Sequence, residues 1–181
     1  PPLASSLNFS PAQTVANMAV VKIGSEGKIS FYNGASLGGV HVIADVAGWF
    51  GPEGEPSGAL YHPLAPARVL DTRFGEGAPT GPLAGGMPMN LQVTGRGGVP
   101  ATGVTAVILN VIAVEPAVGG FLTVWPAGAP LPLASNLNFA TGQTVPNLVV
   151  VKVGAGGEVS IYNGGGTAHL VADVAGWYGT G

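Results

Sequence analysis

The stretch "ADVAGWYG" at residues 172–179 repeats "ADVAGWFG" at residues 44–51 with a single change. On the N-terminal side of this pair, residues 3–34 align with residues 133–164 without a gap, at 19 identical positions of 32. The offset between copies is 130 residues there and 128 residues at the quoted stretch. Self-similarity at a nearly constant spacing is the signature of a tandem repeat, so the unit is about 130 residues long.

The repeat length predicts how the 181 residues divide. Residues 58–181 form one complete unit, and residues 1–57 are the back part of a preceding unit. We call residues 3–51 the N-terminal copy and residues 133–179 the C-terminal copy. Because the two copies carry the same apolar stretches, only one of them can occupy a given position in a complete unit.

A weaker period lies inside the unit, since "NVIAVEPAVGGFLTVWP" (110–126) aligns with "NLVVVKVGAGGEVSIYN" (147–163) at an offset of 37 residues. This spacing predicts three similar lobes in each unit, with an additional third lobe at residues 11–57. The predicted lobe boundaries lie near 58–103, 104–140 and 141–181.

Composition restricts the class of protein. Charged residues make up 8% of the chain, the formal net charge is −3, and there is no cysteine. The six basic residues are scattered, which argues against nucleic acid and anionic membrane surfaces as partners. Every apolar run is too short to cross a membrane, and without cysteine neither disulfides nor thiolate metal sites can form.

Short strands are predicted almost throughout. "NMAVVKI" (17–23) and "NLVVVKV" (147–153) are β-branched runs typical of strands covered on both faces. "KISFYNG" (28–34) and "EVSIYNG" (158–164) alternate and end in Asn-Gly, which predicts turns with positive φ. Three similar all-β lobes favour a pseudo-threefold β-prism or β-trefoil-like domain, with a two-sheet β-sandwich as the alternative.

The few charged residues point to a structural network. Strict alternation places Asp45 on one face with Ile43 and Trp49, in apolar surroundings, and the same holds for its counterpart Asp173. A buried carboxylate needs hydrogen-bond donors. "RVLDTR" (68–73) supplies them, so we expect a network that ties the first lobe to the third. Its predicted members are Arg68, Asp71, Arg73 and Asp173.

The aromatic residues support an alternative, because aromatic rings beside Asp and Asn are how carbohydrate-binding modules hold sugars. Trp125 and Tyr162 occupy equivalent lobe positions, and the repeated Asp–Trp phrase supplies the polar groups. The candidate glycan-binding residues are Trp125, Tyr162, Asp173, Trp177, Asp45 and Trp49. Packing in the core and between lobes is the competing interpretation of the same rings.

The sequence contains no familiar catalytic or metal-binding pattern, such as G-x-S-x-G or H-E-x-x-H. We therefore predict no catalytic residue, no metal and no cofactor. An enzyme would require Asp71, Asp173 and His169 to converge in the fold.

Several phrases resemble a repeat found in secreted and cell-surface bacterial proteins, often in tandem or beside hydrolase catalytic domains. The similarity covers residues 60–179 and, for the back part of a preceding repeat, residues 3–51. It implies an extracellular location and an accessory or structural role, and it brings no activity or binding residues to transfer. The phrases that carry it are "RVLDTRFG" (68–75), "GVTAVILNV" (103–111), "GGFLTVWPAG" (119–128), "SNLNFATGQTVPNLVVVKVGAGGEVSIYN" (135–163) and "LVADVAGWYG" (170–179).

Together these features predict a non-enzymatic structural or adhesion module of a surface protein or fibre, with a carbohydrate-binding module that targets an attached hydrolase as the alternative. Two ways of completing a unit remain open. Residues 58–181 form it by themselves, or residues 1–57 and 58–130 form it together and residues 131–181 are the surplus. In both, the surplus lobe is expected to pair head to tail with a neighbouring chain or repeat.

Overall fold

The computed structural model describes residues 4–35, 38–51 and 58–180. Within these ranges every strand lies between residues 60 and 179. The strands are β1 (Leu60–Asp71), β2 (Pro88–Gln92), β3 (Val104–Val114), β4 (Gly120–Pro126), β5 (Leu137–Phe139), β6 (Val145–Lys152), β7 (Glu158–Asn163) and β8 (His169–Gly179).

The strands form two antiparallel sheets around one core. The first sheet has the order β1-β8-β3-β6 and the second the order β2-β7-β4-β5. Side chains from both sheets pack into one cluster, which includes Leu109 of β3, Leu122 of β4 and Ile161 of β7. All three are fully buried, so the unit stabilises itself by burying apolar surface between two sheets.

The all-β prediction is confirmed, and the two sheets match the sandwich alternative, whereas a threefold β-prism or β-trefoil is not confirmed. Each predicted lobe contributes strands to both sheets and does not form a sheet of its own. The first and last strands of the unit also pair with each other, from Leu60 opposite Gly179 to Asp71 opposite Val171. The 37-residue period instead places β3 over β6 in the first sheet and β4 over β7 in the second, so each period contains one strand of each sheet.

The β-branched run at 147–153 differs from its prediction. It forms most of β6, which is an edge strand of the first sheet and pairs only with β3. Its burial alternates, since Val149 is fully buried whereas Leu148 remains 41% exposed. The prediction that both faces of this strand are covered was therefore wrong, because no helix or further sheet lies over the outer face of β6 in the described part of the chain.

A bulge in β8 corrects the predicted face of Asp173. Between the pairs Ile108–Gly176 and Leu109–Val174, β8 advances two residues while β3 advances one, so Ala175 is the additional residue. Trp177 therefore enters the core cluster on the same side as Val174. Asp173, which strict alternation would place beside Trp177, lies on the opposite face.

The Asn-Gly turn after β7 also differs from its prediction, because Asn163 does not adopt positive φ. Its side chain instead bridges the loop: Nδ2 donates to the Leu83 carbonyl at 3.1 Å, and the Gly165 amide donates to Oδ1 at 3.0 Å. Gly164 is required for a different reason, since a Cβ there would overlap the ring of Phe121.

The N-terminal copy forms no strand in its described residues, 4–35 and 38–51, although the sequence predicts strands there. It contains one short 3₁₀ turn, Ser25–Gly27. Its apolar side chains are open to solvent: Ile43 is 88% exposed and its counterpart Val171 only 2%. The physical reason is that a strand needs a ladder partner, and the C-terminal copy already occupies β1–β4.

Candidate functional site

The charged residues converge on the first sheet at the junction of β1 and β8. A register shift within β1 places Arg68 opposite Asp173. Arg68 Nε donates to Asp173 Oδ1 at 2.6 Å, and Arg68 Nη1 donates to Asp71 Oδ2 at 2.8 Å. One guanidinium therefore bridges a carboxylate of the first lobe and a carboxylate of the third.

Arg73 completes the network around Asp71. Its Nε and Nη2 donate to the two carboxylate oxygens of Asp71 at 2.9 and 2.7 Å, and its backbone amide donates to Oδ1. The Asp71 side chain is only 4% exposed, whereas Arg68 and Arg73 remain partly exposed. The planar fork of Arg73 matches the carboxylate in the bidentate arrangement that gives the strongest such pairs.

The electrostatics of this group oppose acid–base catalysis by Asp71. Hydrogen bonds from Arg73, and further ones from Arg68, hold the pKa of Asp71 well below its usual range despite the opposing effect of burial. Conversely, the hydrogen bond to Asp173 raises the pKa of Arg68 above its ordinary value. A general acid at neutral pH needs a raised pKa, so Asp71 is held in the wrong state for that role.

His169 lies beside this network through Thr72. Thr72 Oγ1 is 3.1 Å from His169 Nδ1 and accepts a hydrogen bond from the Leu170 amide at 3.0 Å. Asp71, Asp173 and His169 thus come to the same region, as an enzyme would require. Each is engaged by a structural partner, and the arrangement fastens the end of β1 to the start of β8.

The two tryptophans of the folded unit are buried. Trp125 is 7% exposed and donates its indole N–H to the Ala129 carbonyl at 2.9 Å. Trp177 is 6% exposed and stacks on His62, with ring centroids 3.9 Å apart at 11°. The two lie on different sheets, so the candidate glycan-binding residues do not form one surface.

Tyr162 is the candidate residue that lines a groove. It is half-buried on the outer face of the second sheet, beside Phe121, with ring centroids 6.1 Å apart. The groove has a volume of about 350 Å³ and runs between these rings and the loop at 131–135. Asn138 and Ser135 add polar groups to its lining.

Asp45 and Trp49, the remaining candidates, lie in the N-terminal copy. Asp45 is exposed, and Trp49 is 65% exposed where its counterpart Trp177 is buried. Phe50 of this copy approaches the folded unit, with its ring 6.4 Å from that of Tyr178.

Among residues 4–35, 38–51 and 58–180, no set of three or more His, Asp or Glu side chains is placed to hold a metal ion. No helix in that part of the chain is long and apolar enough to span a membrane. Comparison with protein-family models, curated proteins and solved structures found no match for this chain. The fold and the charged network therefore define a class of protein, a two-sheet all-β repeat unit whose first and last strands are joined by ion pairs.

Sequence reasoning missed three of these contacts. Thr72 stands inside the singled-out phrase "RVLDTR", and its position next to a buried Asp could have marked it. His62 and Phe121 had no local signal, because their partners are 115 and 41 residues away in the chain (Trp177 and Tyr162). Only the pairing of the strands brings them together.

Proposed function

We propose that this protein is a non-enzymatic structural or adhesion repeat of an extracellular or cell-surface protein or fibre, assembling through β-strand contacts with neighbouring repeats or copies of itself. One observation carries the proposal: the C-terminal copy completes a sandwich, while the N-terminal copy presents the same apolar residues to solvent. Val46 is 90% exposed and its counterpart Val174 is fully buried.

Two further features support assembly. An exposed apolar stretch of this extent is characteristic of an interaction surface. The sheets are open, with β1 and β6 at the edges of the first and β2 and β5 at the edges of the second, and such edges offer unpaired backbone groups to another strand. The extracellular location rests on the resemblance to secreted repeats.

Proteins that carry two, three and four of the 130-residue units test the proposal. We expect electron micrographs to show rods whose length grows in proportion to the number of units. A matched control replaces Ile43 and Val46 by Ser in each protein, which removes apolar surface without touching the folded unit. Compact particles of unchanged length, or rods unaffected by that control, would contradict assembly through this surface.

The groove beside Tyr162 favours a second candidate, a carbohydrate-binding module that targets an attached hydrolase to polysaccharide. Two half-buried aromatic rings with Asn138 and Ser135 beside them supply a stacking surface and hydrogen-bonding groups. The retention of the protein on insoluble polysaccharides tests this candidate. Tyr162→Ala should abolish retention, and Tyr32→Ala, at the equivalent position of the N-terminal copy, should not. Equal retention of the parent and both variants would exclude the groove as the site.

A further inference from the structure

The strand β6 presents the longest unhindered edge of the folded unit. It runs over eight residues, Val145–Lys152, and in the described part of the chain it pairs only with β3. The other three edge strands carry features that hinder the addition of a strand. β5 has three residues, β2 has five and begins at Pro88, and β1 contains Pro63, Pro66 and two register shifts. In β6 the only proline is Pro146, its second residue.

The register with β3 fixes which backbone groups of β6 face this edge. The Val153 amide donates to the Thr105 carbonyl at 2.9 Å, in continuation of the unbroken register between the two strands. Because hydrogen-bonded and non-hydrogen-bonded positions alternate along an antiparallel pair, the odd-numbered residues of β6 bond to β3. The N–H and C=O groups of Leu148, Val150 and Lys152 therefore point away from β3. Within the described residues they have no hydrogen-bond partner.

The side chains on the outer face of this edge are apolar. Val149 is fully buried in the core, whereas its neighbours Leu148 and Val150 lie on the opposite face, where Leu148 is 41% exposed and Val150 is half-buried. Ile108 of β3 lies opposite Val150, so an apolar row crosses the sheet and ends at β6. Free backbone groups beside apolar side chains are what an added strand uses for affinity and specificity.

The chain itself contains a strand of matching length and pattern, which is β6 of a second copy. The other edges of a second copy fit less well, because they offer the prolines and the short strands described above. An antiparallel pair of two β6 strands has a twofold axis, so it closes at two copies. We infer that β6 is the surface through which two copies of this chain pair side by side and join their first sheets into one. The inference rests on the proposed function, because it names the strand and the symmetry of one contact through which copies assemble.

Side chains select one register for this pair. Outward-facing residues must lie opposite outward-facing residues, and with Val149 on the twofold axis Leu148 of each copy lies opposite Val150 of the other. This arrangement extends the apolar row of each sheet onto its neighbour. An axis at Val150 would instead place Leu148 opposite Lys152. With the axis at Val149, Lys152 lies opposite Pro146, and the two ammonium groups are about 20 Å apart, beyond the range of strong repulsion in salt.

Disulfide trapping tests the register, because the chain contains no cysteine. Leu148→Cys and Val150→Cys are introduced into separate full-length chains, which are oxidised alone and as an equimolar mixture. The mixture should form a linked dimer at least about tenfold faster than either variant alone, because only directly opposite positions come within the Cα separation that a disulfide spans. No linkage, equal rates in all three samples, or fastest linkage of Val150→Cys alone overturns the inference.

Variants of one edge residue test the surface. Val150→Lys should weaken dimerisation of the full chain at least about tenfold in sedimentation equilibrium, because it brings two added charges together across the pair. Val118→Lys is the matched control: it makes the same change at a loop residue that is 48% exposed, and it should dimerise like the parent. Val150→Pro removes an outward N–H and no bond to β3, so it should act like Val150→Lys without adding charge. A monomeric parent, or equal dimerisation of the parent and Val150→Lys, overturns the inference.

Amide exchange supplies a readout that non-specific association would not produce. As the concentration of the parent rises, the amides of Leu148, Val150 and Lys152 should become protected. The amides of Val149 and Val151, which already bond to β3, should not change. Protection that does not depend on concentration overturns the inference, and so does protection that appears only when an unrelated extended peptide is added, since a foreign strand would then be the occupant.

The outcomes separate this inference from the proposed function. Rods that grow with the number of units, made by chains whose β6 strands do not pair, would leave the proposed function standing and remove the inference. Pairing through β6 by proteins that form compact particles would sustain the inference and remove the proposed function.

Discussion

At the scale of the residue, Asp71 shows how a chain with few charges uses one of them. It is buried, yet four N–H groups of Arg68 and Arg73 donate to its two oxygens. Burial of an unpaired carboxylate would be strongly unfavourable, and the arginines offset that penalty. The same Arg68 also reaches Asp173, so a single side chain links the first strand of the unit to the last.

Substitution of Asp71 tests this role. Asp71→Asn removes the charge from a buried acceptor, and we expect the free energy of unfolding to fall by about 1.5–3 kcal/mol, the range for hydrogen bonds to charged groups. Asp45→Asn is the matched control: it is exposed, so its effect should stay within about 0.5 kcal/mol. Urea unfolding at pH 7 measures both. Equal effects of the two variants would show that the network contributes nothing.

The pH dependence of stability has a definite sign. Because the folded-state pKa of Asp71 is lowered, its contribution is fully present above the unfolded-state value of about 3.9 and is lost as the pH falls toward the folded-state pKa. Urea midpoints of the parent should therefore decline from pH 5 to pH 2. The difference between the parent and Asp71→Asn should shrink over the same range. A difference that stays constant with pH would contradict a charge-based role.

Among the elements, the turn between β6 and β7 has a counterpart in the N-terminal copy. Neighbouring atoms crowd only the turn of the C-terminal copy. Gly157 has φ +79°, and a Cβ there would overlap Thr94 Oγ1. Gly27 has φ +71° with open space around it. The turn residues follow from local sequence, whereas their surroundings follow from the fold.

The paired glycines give a prediction at this scale. Gly157→Ala should destabilise the unit by more than about 1 kcal/mol, because a left-handed conformation already costs a side-chain-bearing residue that much and the contact with Thr94 adds to it. Gly27→Ala should leave the thermal midpoint of the unit unchanged. Calorimetry on the two variants checks this, and a comparable decrease in both would mean that the N-terminal turn belongs to the cooperative unit.

At the scale of the whole molecule, the folded unit is complete without the N-terminal copy. Every strand of residues 60–179 finds its partners within that range. The copy approaches it at Phe50 and Tyr178, and its own apolar residues remain exposed. The unfolding of the chain is therefore expected to be that of the sandwich alone.

Equivalent core substitutions separate the two copies. Ile161→Ala removes a fully buried side chain and should cost about 2–5 kcal/mol. Phe31→Ala changes the equivalent position of the N-terminal copy and should have almost no effect on urea unfolding of the isolated chain. If Phe31→Ala destabilises the chain by a similar amount, the N-terminal copy takes part in a folded core.

Features that depend on local pattern could be predicted from the sequence. The repeat and the all-β class follow from spacing, from the frequent glycines and from β-branched runs. The concentration of Arg68, Asp71 and Arg73 in one phrase was also enough to locate the charged network, because a buried carboxylate requires donors close at hand.

Features that depend on competition between the two copies, or on the pairing of distant strands, could be seen only in the fold. Two copies of nearly the same sequence could pair with β1–β4, and only the fold shows that the C-terminal copy does so. A one-residue bulge at Ala175 moved Trp177 into the core and left Asp173 outside, a change that no period-two pattern contains. The pairing of β1 with β8 joins residues 100 to 119 positions apart, so the arrangement in two sheets lay in long-range contacts that local sequence does not encode.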